Sequence, residues 1–144
     1  MKGKTCLITG TASGMGRIAA KALAEKGVNL ILVDFDTENG ILAKDEIIQD
    51  TGNQAVEYID CDLSSFANLR NLSEDIYARY AHLDVLINNA GITESSRRES
   101  VDGYEMTMAT NFLAPFLLSH LLLDLLKKRQ HSRIINISSD GHKM

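Results

Sequence analysis

Thr9-Gly10-Thr11-Ala12-Ser13-Gly14-Met15-Gly16 is the stretch on which the fold turns. It stands between a short apolar run, Thr5–Thr9, and a segment, Met15–Lys26, whose apolar residues Ile18, Ala19, Ala22 and Leu23 recur at helical spacing. Gly27 follows as a helix stop. Glycine at such a junction permits backbone angles closed to other residues and leaves no Cβ in the path of a ligand's phosphates. The helix that starts there aims unpaired N–H groups and the positive end of its dipole at the same point. A phosphate-holding turn is the functional reading; a tight strand–helix connection is the bare structural one.

Outward from the turn the pattern repeats. Asn29–Val33 is a second apolar run, ended by Asp34-Phe35-Asp36, and Thr37–Thr51 reads as a helix stopped by Gly52. Ala55–Asp60 is a third strand, followed by a helix from Ser64 or Ser65 to about Ala81. Asp84–Ile87 is a fourth, leading into Asn88-Asn89-Ala90-Gly91. A polar loop carrying Arg97-Arg98, read as solvated, precedes a long helix from about Val101 to Arg129. Arg133–Ile137 is a fifth strand, ending at Ser138-Ser139. The strands are unbroken Val/Ile/Leu runs, which fits burial on both faces of a parallel sheet. Alternation with short links predicts an α/β, Rossmann-type doubly wound parallel sheet of five strands, order 3-2-1-4-5, with helices on both faces. The expectation is a single dinucleotide-binding domain over residues 1–144 that stops after strand five.

Composition narrows the function classes. The chain has 144 residues, 44% hydrophobic and 24% charged, ordinary values for a soluble globular protein with one core. A net charge of −4 argues against nucleic acid and anionic membrane as partners. The longest apolar stretch, residues 112–126, is interrupted by Pro115, Ser119, His120 and Asp124 and is too short to span a bilayer. Met1-Lys2-Gly3-Lys4 leads straight into a strand without a leader pattern, so an intracellular, cytoplasmic chain is expected. Cys6 and Cys61 sit in or beside apolar runs and read as buried reduced thiols; neither has metal-ligand spacing, and no metal site is expected. His82, His120, His131 and His142 are scattered.

Asp34 ends the second strand, 24 residues after Gly10. A carboxylate there accepts hydrogen bonds from an adenosine ribose and repels a 2′-phosphate. Phe35 rather than an arginine comes next, and the glycine loop holds no Lys or Arg. NAD is therefore favoured over NADP, with Arg17 keeping NADP open and a plain turn role for Asp34 as the structural alternative.

At this point the chain resembles the short-chain dehydrogenase/reductase family along its whole length. The resemblance rests on Thr9-Gly10-x-x-x-Gly14-x-Gly16, Cys61-Asp62-Leu63, Asn88-Asn89-Ala90-Gly91, Asn111 and Ile134-Ile135-Asn136-Ile137-Ser138-Ser139, in that order. Asn111-Phe112-x-x-x-Phe116-Leu117-Leu118, Leu121–Lys127 and Ser132–Ser139 look most like the retinol-dehydrogenase-like branch, from which Asp34-Phe35 departs. The resemblance implies cofactor contacts from Gly10, Thr11, Ser13, Gly14, Met15, Gly16, Asp34 and Phe35. It sets Asp62 and Leu63 against the adenine and Asn89, Ala90 and Gly91 along the cofactor, and makes Asn88 a tie between strands. Asn111 matches an asparagine that helps hold a water in a proton relay. Ser139 matches a serine that hydrogen-bonds the substrate's reacting oxygen, with Ser138 as the competing candidate.

The family's Tyr-x-x-x-Lys pair, its general acid/base and that residue's partner, is expected beyond Ser139 and is not in these 144 residues. Tyr58, Tyr77, Tyr80 and Tyr104 precede the serine, and none has lysine four residues on. Two readings follow. In one the chain is the N-terminal part of an NAD(P)-dependent oxidoreductase that moves hydride between nicotinamide and an alcohol/carbonyl substrate. In the other it is a catalytically inactive nucleotide-binding or partner-binding fragment. Leu117, Leu118, Leu121, Leu122 and Leu125 give the 101–129 helix a broad apolar surface that is mostly core. The resemblance implies that a helix at this place pairs subunits, so a homodimer through it is expected.

Overall fold

The computed structural model describes residues 1–139. Five parallel strands, β1 (Thr5–Thr9), β2 (Asn29–Asp34), β3 (Val56–Asp60), β4 (Val85–Asn88) and β5 (Arg133–Asn136), form one sheet in the order β3-β2-β1-β4-β5. β1 lies at its centre, with Leu7 opposite Ile31 on one side and Leu86 on the other. This is the strand order expected from the sequence.

Helices α1 (Gly14–Glu25) and α2 (Thr37–Thr51) cover one face, and α3 (Phe66–Arg79) covers the other. Because successive side chains point to opposite faces, each central strand feeds two cores. Cys6, Ile8, Leu30 and Leu32 pack with Ala20, Ala24 and Ile47 of α1 and α2. Leu7, Ile31, Val33 and Leu86 pack with Leu69, Leu72 and Ile76 of α3 and with Leu118, Leu122 and Leu125.

The helix expected from Val101 to Arg129 starts later and is broken. Gly103 adopts φ +80° and donates to the Ser100 carbonyl at 3.0 Å, making a turn that a helix starting at Val101 would not allow. Glu105 then caps a short helix, α4 (Met106–Met108), by accepting from the N–H groups of Thr107 and Met108 at 2.9 and 2.8 Å. A π-helical turn, Ala109–Leu113, follows, then α5 (Ala114–Leu121) and α6 (Leu123–Lys127). Pro115 lies directly after the π turn and has no N–H to return to the Asn111 carbonyl, which accounts for an irregularity at that place.

β5 also departs from the pattern. Among the described residues it pairs with β4 alone, and all four of its residues are exposed. Its Ile/Val-type composition therefore does not report burial on both faces here.

At the opposite end of the strands Asp84 is nearly fully buried and ties three elements together. It accepts from the Thr5 N–H at 2.9 Å and from Arg129 Nε at 3.0 Å, with Lys4 Nζ 3.6 Å away. Burial works to raise its pKa. The Thr5 N–H and the Arg129 guanidinium outweigh that cost and hold the carboxyl below its ordinary value.

Candidate nucleotide-binding cleft

The carboxyl ends of β1 to β4 open into a cleft of about 480 Å³, within the size range of small-molecule sites. Its floor is the β1–α1 turn. Gly10 is at φ +72° and packs so close to β4 that an added Cβ would lie 2.7 Å from Ala90 Cα. A Cβ on Gly16 would strike the Gly10 carbonyl oxygen, so only glycine lets α1 start this near the strand. Gly14, at φ +56°, has nothing within 4 Å of where its Cβ would be and stands open.

Asn89 locks this turn in place. Its Nδ2 donates to the carbonyls of Thr9 and Gly10 at 2.9 and 3.0 Å, and its N–H donates to Thr9 Oγ1 at 3.1 Å. Asn88 is the strand tie expected of it, with Nδ2 donating to Asn136 Oδ1 on β5 at 2.8 Å.

The start of α1 differs from the other long helices. Asp36 caps α2 by accepting from the Asn39 N–H, and Ser65 caps α3 by accepting from the Asn68 N–H. Ser13 makes no side-chain cap hydrogen bond, and the first turn of α1 has no acidic residue. The N–H groups over the glycine turn are thus left for an outside acceptor. Thr11 adds a fully buried hydroxyl with no hydrogen-bond partner among the described residues. An open cradle and an uncapped helix start together fit a phosphate-bearing group.

Gly10, Ser13, Met15 and Gly16 line the cleft, while Thr11 is buried behind it. Asp34 and Phe35 form a second wall. Asp34 is held by its own surroundings: Oδ2 accepts from the Ala12 N–H at 2.9 Å, and Oδ1 from the Asp36 N–H at 3.1 Å. Tyr58 Oη donates to the Asp34 carbonyl at 2.8 Å, a support that nothing in the local sequence signals. Burial pushes the Tyr58 hydroxyl up to about 12, so it stays a donor. Arg17, the residue that leaves NADP open in the sequence, is paired with Glu46 on α2 and is not among the residues lining the cleft.

Asp62 and Leu63 form the third wall, with one Asp62 oxygen accepting from the Ser64 N–H and hydroxyl at 2.9 and 2.7 Å. Ala90 and Gly91 complete the row beside Asn89. The fourth wall was not legible. Glu94, Arg98, Met106 and Thr110 line it, all from the segment after β4. The reading of Arg97-Arg98 as solvated holds for both, 73% and 62% exposed; Arg97 pairs with Glu99, while Arg98 also lines the cleft and pairs with Glu94 at 2.8 Å.

A groove of about 680 Å³ between the π turn, α5 and β5 meets the cleft at Ala90, which lines both. Asn111 and Ser138 line this groove, and Ser139 follows as an exposed residue three positions past the end of β5. The Asn111 side chain is engaged with the backbone of Ile92, donating to its carbonyl at 2.8 Å and accepting from its N–H at 2.9 Å. Burial, with nearby carboxylates, pushes the thiols of Cys6 and Cys61 up to about 12, and both are free and protonated. No group of three or more metal-ligating side chains occurs among the described residues. No helix among them is long and apolar enough to cross a membrane. His142 lies outside the described residues.

Comparison with known proteins agrees with this geometry. A family model described as short chain dehydrogenase matches residues 4–144. Human retinol dehydrogenase 11 is 41% identical over 144 residues, which cover all of this chain and 45% of that protein. Human retinol dehydrogenase 13 is 40% identical over 140 residues, 97% of this chain and 42% of that one. The chain thus spans under half the length of these curated relatives. Among solved structures, a metagenomic short-chain oxidoreductase in complex with NADP superposes with a TM-score of 0.87 at 27% identity, over 99% of this chain and 65% of that one. The RhlG/NADP active-site complex of Pseudomonas aeruginosa gives 0.83 at 31% identity, over 96% and 56%.

Proposed function

Since the chain belongs to the short chain dehydrogenase family, we propose that residues 1–144 form one dinucleotide-binding domain of an oxidoreductase acting on an alcohol/carbonyl pair. The observation that carries this is the uncapped start of α1 over a glycine turn that only glycine can form. The N–H groups there, with Ser13, take the pyrophosphate. Asp34 faces the adenosine ribose, and Asp62 and Leu63 face the adenine. Asn89, Ala90 and Gly91 lead toward the groove, where the nicotinamide end meets the substrate. Once bound, the cofactor supplies or accepts hydride.

NAD is the proposed cofactor. Asp34, Asp36 and Asp62 line the cleft and disfavour an added 2′-phosphate. The NADP complexes of two structural relatives make NADP the competitor to test. Ser139, with Ser138 beside it, would hydrogen-bond the reacting oxygen, and Asn111 would fix the segment at Ile92 that borders it. The relatives' names make retinol and retinal the first substrate pair to try. Leu118, Leu122 and Leu125 are already in the core, so a homodimer through the helical segment of residues 106–127 would rest on Phe112 and Phe116, 60% and 69% exposed, which also line the groove.

The deciding experiment titrates the chain with NADH and NADPH by fluorescence, then assays retinal reduction. Saturable binding with NADH the tighter ligand is expected. No binding of either at millimolar concentration would refute the cofactor reading. Binding without any turnover would favour the nucleotide-binding or partner-binding alternative.

A further inference from the structure

The cleft is lined by four carboxylates, Asp34, Asp36, Asp62 and Glu94, and by a single cation among the described residues, Arg98. We infer that Arg98 closes the adenine end of this cleft by laying its guanidinium over the face of the base, with Glu94 holding it at the rim. The inference rests on the reading above that Asp62 and Leu63 take the adenine.

The backbone that carries Arg98 is pinned on both sides. At one end Ile92 is clamped by Asn111. At the other, Asp102 Oδ2 accepts from the Phe66 N–H at 2.8 Å, and the rings of Phe66 and Tyr104 stand 5.4 Å apart. Phe66 is two residues past Ser64, so this loop is fastened beside the Asp62–Ser64 wall. Between these points the Arg98 carbonyl accepts from the Met106 N–H at 2.8 Å.

The side chain is not pinned in the same way. It is 62% exposed and held by one ion pair to Glu94, itself 26% exposed. Such exposed pairs contribute little, so the guanidinium can leave Glu94 at small cost. A planar, weakly hydrated guanidinium stacks well on an aromatic face, which a lysine ammonium cannot imitate. Arg97, its neighbour, pairs with Glu99 and is not among the residues lining the cleft, which makes it the internal control.

The test titrates the full chain and its variants with 5′-AMP, nicotinamide mononucleotide, NADH and NADPH by calorimetry, with thermal unfolding as the check on folding. Arg98→Ala is expected to weaken 5′-AMP and NADH by the same factor, about 2–5-fold, and to leave nicotinamide mononucleotide unchanged. Arg98→Lys should stay as weak as Arg98→Ala, and Arg97→Ala should match the unaltered chain with every ligand. Unchanged 5′-AMP affinity in Arg98→Ala, or full recovery with lysine, would overturn the stacking role. A loss confined to NADPH would also overturn it, because Arg98 would then contact a 2′-phosphate. If the unaltered chain binds no adenine nucleotide, the cofactor reading itself fails, a different result from any of these.

Discussion

Over β1 and β2 the strands are sealed on both faces, with Ile8, Ile31 and Leu32 fully buried, whereas all four residues of β5 are exposed. The two ends of the site follow the same division. Around the glycine cleft the turn, Asn89 and the Asp34 carboxylate are all fixed by backbone hydrogen bonds. Around the neighbouring groove Asn111 is engaged with Ile92, and Ser139 stands exposed three residues past the end of β5. A dinucleotide cradle is made mainly of backbone, and a parallel sheet positions backbone wherever its strands are buried. A substrate site depends on side chains brought together from several elements.

The contrast can be broken most directly in the cores. Ile31→Ala, at a fully buried position, should cost about 2–5 kcal/mol, while Ile135→Ala, 40% exposed on β5, should cost less than about 1 kcal/mol. Urea denaturation of the two variants checks this, and equal losses would mean that β5 is as sealed as β2.

Asp84 is what the two sides share, since it joins β1, β4 and the chain after α6. Asp84→Asn should cost about 1.5–3 kcal/mol at neutral pH. The folded carboxyl titrates below its unfolded value, so its contribution is complete above about pH 4 and is lost as pH falls through the lowered value. The gap between the unaltered chain and Asp84→Asn should therefore shrink between pH 7 and strongly acid solution, as measured by denaturant midpoints.

Gly16→Ala probes the cofactor side alone. The new methyl meets the Gly10 carbonyl, a backbone atom that cannot swing away. A stability loss of about 1–3 kcal/mol is expected, together with loss of measurable NADH binding in a fluorescence titration. Asp34→Ser should have the smallest effect, moving the ratio of NADH to NADPH affinity about tenfold toward NADPH, or about 1.4 kcal/mol. Parallel titrations of both cofactors would show it.

Much of the cofactor side was legible in order along the chain. Gly10, Gly14 and Gly16 between a strand and a helix, and Asp34 at the next strand's end, lie within one βαβ unit whose geometry local sequence dictates. That Asp62 and Asn89-Ala90-Gly91 line the cleft could be read because buried parallel strands appear as unbroken apolar runs, and their ends are easily found. The irregular helix after β4 was not legible: its leucines begin only at Leu113, so no periodicity marks the Gly103 turn, and Pro115 interrupts hydrogen bonding as well as apolarity. Arg98 was missed for the same reason. A polar loop carries no periodicity, and only its fastening to Asn111 and Phe66 decides which side chain faces the cleft.

By itself, then, the sequence determined the sheet order, the glycine turn and the family, because each depends on short-range patterning and on backbone angles open only to glycine. Tertiary structure alone decided that Tyr58 supports Asp34, that Arg98 rather than Arg97 enters the cleft, that Asn111 clamps Ile92 and that β5 stays exposed. Those outcomes depend on contacts between residues far apart in the chain, and only the packing of the elements brings those residues together.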